Sequence, residues 1–313
     1  MRIFVAGATG AIGRPLVRRL VAAGHEVTGT TRSEDRAGRI RADGGEPVVV
    51  DALDRDALAK AVADARPEVV VHQLTQIPAD LNPRKIADQF EVTDRLRTEG
   101  TRNLIDAASA AGAGRLVAQS IAFAYRHDGD PGELKTEDDP LLGAGAAKEF
   151  RRTAEAVGAL ERMVLDAGGL VLRYGYFYGP GTAYAASDGA TAAQVRRRGF
   201  PIVGDGGGVF SFVHVDDAAA ATAAAVERGE PGVYNVVDDE PAPLREWLPL
   251  YASAIGAKPP RRVPKLAARI AAGRMAVDTT TRLRGASNEK ARRELGWEPR
   301  HASWRTGFLE AAG

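Results

Sequence analysis

Three glycines near the start of the chain have the spacing of a phosphate-binding turn. Gly7, Gly10 and Gly13 follow an apolar run at residues 2–6 and precede an amphipathic stretch. Such a turn lets the backbone approach a pyrophosphate, directs N–H groups at it and places it at the positive end of a helix. Alternatively the glycines only permit a tight turn, but the strand–turn–helix context favours a bound dinucleotide. The expected contacts come from Gly7, Thr9, Gly10, Ala11, Ile12 and Gly13.

The residues after the second apolar run indicate which dinucleotide is bound. An acidic residue there would hold the ribose hydroxyls of NAD, whereas a 2′-phosphate needs that carboxylate absent and an arginine nearby. The run ends in Thr31, Arg32 and Ser33 and has no acid before Glu34. Arg32 is therefore the candidate phosphate ligand, with the two hydroxyls as further donors. NADP(H) is favoured over NAD(H), although Arg32 could be solvated and Glu34 or Asp35 could reach a ribose.

Alternating strand and helix patterns must position these residues. Strands are predicted at 2–6, 25–30, 46–50, 67–72, 114–119, 169–173 and 232–237, and helices at 11–23, 34–43, 56–65, 84–112, 146–167 and 216–228. This alternation predicts an α/β protein with a Rossmann-type, doubly wound parallel sheet and a smaller C-terminal substrate lobe. We expect residues 1–173, with roughly 209–237, to bind the dinucleotide. Residues from roughly 174–208 and 238–313 would form the substrate-binding lobe.

Composition narrows the range of partners. The 313 residues include 42 basic and 41 acidic ones, so no overall field attracts nucleic acid or an anionic membrane. There is no 18-residue apolar run, and the first strand begins at residue 2, so we expect a cytoplasmic protein without a signal peptide. The absence of cysteine excludes disulfides and thiolate chemistry, and the five scattered histidines predict no metal site.

Several motifs in the correct order resemble the extended short-chain dehydrogenase/reductase family, the NAD(P)-dependent epimerase/dehydratase group. Besides the glycine turn, they are Asp51 with Ala52 and the stretches 100–104, 172–181, 213–217 and 295–299. The resemblance implies an enzyme that binds a nicotinamide dinucleotide and a small-molecule substrate. It implies further cofactor contacts from Asp51, Ala52, Leu74, Thr75, Gln119, Tyr174 and Phe177. It also implies that a homodimer could form through the helices near 84–112 and 146–167.

The chain departs from this family where the family's acid–base chemistry resides. The family uses a tyrosine and, four residues later on the same helical face, a lysine that lowers the tyrosine pKa. No tyrosine here has a lysine at that spacing. If Glu161 is the family's glutamate, the tyrosine position is Thr153 and the lysine position is Val157. Arg97 stands where the family commonly has asparagine, and Ile121 stands at the hydroxyl position, one residue after Ser120.

Replacement groups are sought near the expected nicotinamide site. Tyr125, after the fifth strand, is the first candidate proton donor, with a rim aromatic as the alternative. Ser120 could hydrogen-bond the substrate. Tyr174 and Tyr178 are further catalytic candidates, and Tyr176 lies between them.

His72 ends the fourth strand, at the carboxyl edge where ligands of such sheets collect. It is either catalytic or packed inside the sheet.

The predicted function is an NADP(H)-dependent oxidoreductase that reduces an activated C=O, C=C or C=N bond of a small or medium organic substrate. Strong acid catalysis is needed least when the acceptor is already activated, and positioning can supply much of the rate. The alternatives are a nucleotide-sugar epimerase or dehydratase, a non-catalytic NADP(H) sensor, and a non-redox enzyme that uses the cofactor structurally.

Overall fold

The protein is described here from a computed structural model that covers residues 1–78, 81–82, 85–130, 132–186 and 188–310. The strands are β1 (Arg2–Ala6), β2 (Glu26–Thr31), β3 (Glu46–Val49), β4 (Val69–His72), β5 (Arg115–Ile121), β6 (Leu170–Tyr174), β7 (Tyr176–Tyr178), β8 (Ile202–Val203), β9 (Val209–Phe210), β10 (Phe212–His214), β11 (Gly232–Val236), β12 (Ala242–Pro243) and β13 (Arg262–Val263).

The helices are α1 (Gly13–Ala22), α2 (Glu34–Ala42), α3 (Arg55–Ala65), α4 (Ile86–Gln89), α5 (Glu91–Arg95), α6 (Thr101–Ala110), α7 (Arg151–Asp166), α8 (Ala190–Arg196), α9 (Val215–Glu227), α10 (Leu244–Ala254), α11 (Lys265–Arg282), α12 (Glu289–Leu295) and α13 (Trp304–Glu310). A π-helical turn, Leu96–Gly100, joins α5 to α6.

The central sheet has seven parallel strands in the order β11-β6-β5-β4-β1-β2-β3. The chain reverses its direction of progress across the sheet between β1 and β4, which opens a crevice at the carboxyl ends of these strands. The expected α/β Rossmann-type fold is confirmed.

Both faces of the sheet are covered, because central strands such as β1 and β4 are buried on both sides. In β1, Ile3 and Val5 pack into the core under α1 and α9, while Phe4 and Ala6 pack into the core under α3, α6 and α7. The two cores hold the carboxyl ends of the strands in fixed positions. Within the described residues, no helix has the length and apolar character needed to cross a membrane.

A third core lies in the C-terminal half and is rich in aromatic side chains. It includes Tyr178, Phe212, Trp247, Trp304 and Phe308. Short strand pairs, β7 with β10, β8 with β13 and β9 with β12, accompany it. The boundaries proposed for the two lobes stay a prediction.

The predicted helix at 84–112 differs from the observed elements. Residue 84 lies outside the described residues, a turn at Phe90 separates α4 from α5, and the π-helical turn interrupts the remainder. The helix predicted from residue 146 begins at Arg151. A short 3₁₀ turn, Gly143–Gly145, precedes it, and Ala146, which follows that turn, is extended with a φ of −61° and a ψ of 153°.

Candidate functional site

The glycine turn between β1 and α1 leaves no room for side chains. Gly7 has a φ of +95°, and a Cβ there would lie 2.5 Å from the carbonyl oxygen of Gln73. A Cβ on Gly13 would overlap the carbonyl oxygen of Gly7 and the backbone of Ala8. Both glycines are thus required for α1 to start this close to the ends of β1 and β4.

The N-terminus of α1 presents unpaired donors. Ile12 provides no side-chain cap, and the N–H groups of Ala11, Ile12 and Gly13 have no hydrogen-bond partner within the described chain. Unpaired N–H groups at a helix N-terminus attract an anion. The tight turn and these donors fit the pyrophosphate of a dinucleotide.

A cavity of about 1790 Å³ extends from this turn along the carboxyl ends of the strands. Most small-molecule pockets measure about 300–1,000 Å³, so this one can hold a dinucleotide and a substrate together. Its walls come from the turn, from the loops after β2, β4, β5 and β7, and from α11. Nine of the predicted cofactor residues line it: Gly10, Ala11, Ile12, Gly13, Arg32, Leu74, Thr75, Gln119 and Phe177.

Other predicted cofactor residues do not line the cavity, namely Gly7, Thr9, Thr31, Ser33, Asp51, Ala52 and Tyr174. The hydroxyl of Thr31 donates to the carbonyl oxygen of Ser33, at 3.4 Å, and its side chain is buried. Asp51 accepts from the N–H of Leu53 at 3.0 Å, and Ala52 is buried against the sheet. The side chains of Thr31 and Asp51 therefore form hydrogen bonds within their own turns.

Arg32 lies at the mouth of the cavity. Its Nη1 donates to Oε1 of Gln76 at 2.5 Å, and the side chain is exposed. Arg36, in the first turn of α2, also lines the cavity, whereas Glu34 and Asp35 do not line it. Two guanidinium groups therefore stand where the sequence predicts a 2′-phosphate.

Tyr125 does not reach the cavity, which corrects its expected role as proton donor. The side chain is fully buried, and its hydroxyl donates to Oδ1 of Asn235 at 2.6 Å and accepts from Nη1 of Arg173 at 2.8 Å. Burial raises the pKa of Tyr125 to about 12, against the influence of Arg173. A hydroxyl so enclosed cannot deliver a proton to a substrate.

Tyr174 and Tyr178 are also buried away from the cavity. The hydroxyl of Tyr174 is hydrogen-bonded to Thr222 at 2.7 Å and accepts from Nε2 of Gln73 at 3.1 Å. That of Tyr178 points toward the carbonyl oxygen of His301. Burial raises the pKa of Tyr174 to about 12 and that of Tyr178 further above the usual range. The expectation of catalytic roles for these two tyrosines is corrected in the same way.

Ser120 lines the cavity, but another residue engages its hydroxyl. Ser120 donates to Oε1 of Glu161 at 2.6 Å, and its side chain is buried. The neighbouring Gln119 also lines the cavity and donates to the carbonyl oxygen of Leu74 at 3.3 Å.

Tyr176 and Tyr184 are the tyrosines that line the cavity. Neither hydroxyl has a hydrogen-bond partner within the described residues. Burial raises the pKa of both tyrosines above the usual range. Tyr176 stacks on Phe123 with ring centroids 4.4 Å apart and an interplanar angle of 17°. In the sequence, Tyr176 lies between the candidates Tyr174 and Tyr178. Only the fold shows that Tyr176 lines the cavity and that the other two do not.

Thr153 and Val157, the positions where the sequence resemblance predicts the family's tyrosine and lysine, carry no acid or base. Thr153 donates from its hydroxyl to Oδ2 of Asp94 at 3.0 Å and is buried. Val157 is buried as well. His72 accepts the N–H of Leu74 on Nδ1 and pairs with Thr101 through Nε2 at 2.9 Å, so it is packed inside the fold.

One cluster outside the cavity contains possible metal ligands. His214, Asp217 and His301 bring ligand atoms within 4.8 Å of one another. The carboxylate of Asp217 already accepts the N–H groups of Arg300 and His301, and Nδ1 of His214 accepts that of Asp216. These contacts attach the C-terminal segment to α9, and the predicted absence of a metal site stays a prediction.

The glycine turn, the free N–H groups and the cavity define a dinucleotide-binding α/β protein. Residues 3–236 match the model of the NAD dependent epimerase/dehydratase family. The chain belongs to this family, as its sequence motifs predicted.

Individual relatives refine the comparison. The chain is 50% identical to the 3-diazoavenalumate denitrifying reductase of a Streptomyces species, over 98% of this chain and 99% of the relative. It is 31% identical to a 4-hydroxy-2-methyl-3-oxo-4-farnesyl-3,4-dihydroquinoline-1-oxide ketoreductase of Stigmatella aurantiaca, over 96% and 92% of the two chains. The UDP-glucose 4-epimerase of Thermus thermophilus, in complex with NAD, is similar with a TM-score of 0.76 and 25% identity, over 100% and 98% of the chains. These relatives support an oxidoreductase with a nicotinamide cofactor.

Proposed function

We propose that this chain is an NADP(H)-dependent reductase that needs no tyrosine–lysine acid pair, and that its acceptor is a diazo compound in its cationic diazonium form. The proposal rests on the residues that occupy the two helix positions where the resemblance predicts that pair. Thr153 donates to Asp94, and Val157 is apolar and buried. A reduction that generates an oxyanion calls for a proton donor close to it. A reduction that generates none can proceed with the residues present.

Diazo chemistry meets this condition. The Streptomyces relative is named for a diazo compound and for denitrifying reduction. Hydride replacement of a diazonium group forms a C–H bond and breaks the C–N bond, whose electron pair leaves with dinitrogen. No oxyanion arises, so no proton has to be donated. The 50% identity over almost the whole chain supports this class of acceptor.

The cofactor when bound supplies the hydride. The N–H groups of Ala11, Ile12 and Gly13 would hold its pyrophosphate. Arg32 would bind the 2′-phosphate and Arg36 would add a second positive charge, because both line the cavity and Arg36 follows Arg32 by four residues. These two arginines support NADP(H) over NAD(H).

The far part of the cavity suits a flat organic substrate. Phe123 and Tyr176 stack on each other there, and the ring of Phe210 lies 4.9 Å from that of Tyr176. The cavity-lining residues of α11 include small side chains: Ala267, Ala268, Ala271 and Ala272. Apolar walls exclude water, which protects a reactive diazo group from hydrolysis.

A second candidate function is the reduction of a ketone with Tyr176 as proton donor. Tyr176 lines the cavity, and its hydroxyl has no hydrogen-bond partner within the described residues. The Stigmatella relative is named as a ketoreductase. A nucleotide-sugar epimerase is favoured less, because hydride removal from an alcohol needs a base, and Thr153 and Val157 provide none at the positions that the resemblance implies.

Calorimetric titration with NADPH, NADP⁺, NADH and NAD⁺ tests the cofactor assignment. We expect Arg32→Ala to weaken NADPH about 10- to 100-fold and to leave NADH unchanged, since a charge-assisted contact contributes about 1.5–3 kcal/mol. Arg39→Ala is the matched control, because Arg39 is exposed on α2, the helix that follows Arg32, and does not line the cavity. Equal binding of NADPH and NADH by the unmodified protein would refute the NADP(H) assignment.

Turnover with labelled cofactor tests the acceptor. With NADPH deuterated at the transferred position and an arenediazonium salt, we expect deuterium on the carbon that carried nitrogen, together with release of dinitrogen. Tyr176→Phe should leave this rate unchanged. A diazonium reaction that does not consume NADPH, or a ketone reduction abolished by Tyr176→Phe, would favour the second candidate.

A further inference from the structure

Arg97 is a buried cation for which no hydrogen bond is found among the described residues. Its side chain is 6% exposed, and it lines the cavity. Nη1 is enclosed and has no hydrogen-bond partner, and no bond of Nε or Nη2 is found within the described chain. Oδ1 of Asp94, which is also buried without a hydrogen-bond partner, forms an ion pair with Arg97 at 3.6 Å from Nη1, beyond hydrogen-bond distance.

Asp94 compensates this charge only in part. Its Oδ2 already accepts from Nε of Arg152 at 3.1 Å and from the hydroxyl of Thr153 at 3.0 Å. Two guanidinium groups thus share one carboxylate, and the cluster carries an excess positive charge. Burial lowers the pKa of Arg97 to about 10, while Asp94 acts in the opposite direction, so the side chain is protonated at neutral pH. A buried cation without hydrogen bonds lowers the stability of the fold unless a ligand supplies the missing acceptors.

Strand order indicates which ligand reaches Arg97. Arg32 follows β2 and the glycine turn follows β1, and the next strands across the sheet are β4 and β5. A dinucleotide with its 2′-phosphate at Arg32 and its pyrophosphate at the turn therefore extends its other half across β4 and β5. Arg97 lies on this side: its charge adds to burial in lowering the pKa of His72, at the end of β4, to about 4.

We propose that Arg97 binds oxygen atoms of the nicotinamide half of the dinucleotide. Arg97 lies in the π-helical turn before α6, whereas the lysine position that the resemblance implies lies on α7. The inference rests on the proposed binding of NADP(H). The planar guanidinium offers several N–H donors to ribose hydroxyl or carboxamide oxygens. Arg97 thereby provides a fixed positive charge next to α7, where the lysine position is the apolar Val157.

The π-helical turn that contains Arg97 accounts for its placement. The turn, Leu96–Gly100, adds a residue to the helical repeat just after Asp94. Such turns often occur at functional sites because they rotate a side chain out of the regular helical spacing.

The test compares two ligands that differ in the nicotinamide half. NADPH contains it, and adenosine 2′,5′-bisphosphate does not. In Arg97→Met, Asp94 keeps Arg152 and Thr153 as partners, so we expect the variant to fold. Calorimetry should show NADPH weakened about 10- to 100-fold and the bisphosphate bound as in the unmodified protein. Arg97→Lys should recover part of the NADPH affinity, because the ammonium keeps the charge but has a shorter reach.

Control variants and contrary results separate this inference from the proposed function. Arg102→Met removes an exposed arginine of α6 and should change neither affinity. Unchanged NADPH affinity in Arg97→Met, or an equal loss for both ligands, would overturn the role of Arg97 and leave NADP(H) binding intact. If the unmodified protein binds neither ligand, the proposed function fails, and the role of Arg97 fails with it.

Discussion

Glu161 of α7 and Arg173 of β6 form a buried, bidentate ion pair. Nε and Nη2 of Arg173 donate to Oε1 and Oε2 of Glu161 at 2.9 and 2.7 Å, and each side chain is 6% exposed. The same pair engages Ser120, which donates to Glu161, and Tyr125, which accepts from Arg173. Two residues that the sequence indicated as catalytic are therefore parts of a buried polar network. Such a network is stable only when all its members are bonded.

Tyr125→Phe should lower stability without altering turnover. Removal of the hydroxyl leaves Oδ1 of Asn235 without its donor and removes one acceptor of Arg173. We expect the free energy of unfolding to fall by about 1–3 kcal/mol in urea titrations. NADPH-dependent turnover of the folded variant should equal that of the unmodified protein. Lost turnover at unchanged stability would contradict this assignment and restore Tyr125 as a proton donor.

Glu161→Gln should be more destabilising. The substitution leaves the buried guanidinium of Arg173 without a carboxylate, and breaking a buried ion pair from one side costs about 3–5 kcal/mol. Glu155→Gln is the matched control, since Glu155 lies on the exposed face of the same helix. Thermal and urea unfolding of both variants measure the difference. Equal stability of the two variants would show that the pair contributes nothing to the fold.

The central sheet could be predicted because its signals are local. Apolar runs bounded by glycine and charged residues located β1 at residues 2–6 and the other strands of the sheet within about two residues. The helix predicted at 84–112 was wrong in its continuity, because the turn at Phe90 and the π-helical turn accompany the packing of Asp94 against α7. The periodicity of apolar residues within one segment carries no information about a contact with another helix.

The tight glycine turn could be predicted from the sequence, whereas the burial of the candidate catalytic residues could not, because the two depend on contacts of different range. Gly7 and Gly13 act on atoms a few residues away or on the adjacent strand end. The position of Tyr125 depends on Arg173, 48 residues later, and on Asn235, 110 residues later. Strand alternation could not exclude Tyr125 from the cavity, because it does not specify what packs against each face.

His72 should contribute to stability in a defined pH window. Burial, together with the charge of Arg97, lowers its pKa to about 4 from an ordinary value of 6.5. Its stabilising contribution is therefore complete above pH 6.5 and is lost as the pH falls toward 4, because the unfolded chain takes up the proton first. Relative to His72→Gln, the unmodified protein should lose up to about 1.4 kcal/mol per pH unit within this window.

Urea unfolding at several pH values measures this difference. His25→Gln, at a half-buried position, serves as the reference. Turnover should show no inflection from His72 near pH 6.5, since the imidazole remains neutral there. A constant difference in stability across the window would mean that His72 titrates alike in the folded and unfolded chains.

Gly13→Ala should abolish dinucleotide binding while the chain stays folded. Its Cβ would overlap the carbonyl oxygen of Gly7 and the backbone of Ala8, so the start of α1 must shift and its free N–H groups must turn away from the cavity. Calorimetry with NADPH measures the loss, and circular dichroism checks the fold.

Gly38→Ala is the matched control for that substitution, because a Cβ at Gly38, inside α2, meets no atom within 4 Å. Alanine also favours the helix, so we expect this variant to be about 0.5–1 kcal/mol more stable and to bind NADPH normally. The two variants make the same chemical change, so a difference between them depends only on the space at the turn. If Gly13→Ala binds NADPH as well as Gly38→Ala does, close approach of the backbone at Gly13 is not what holds the pyrophosphate.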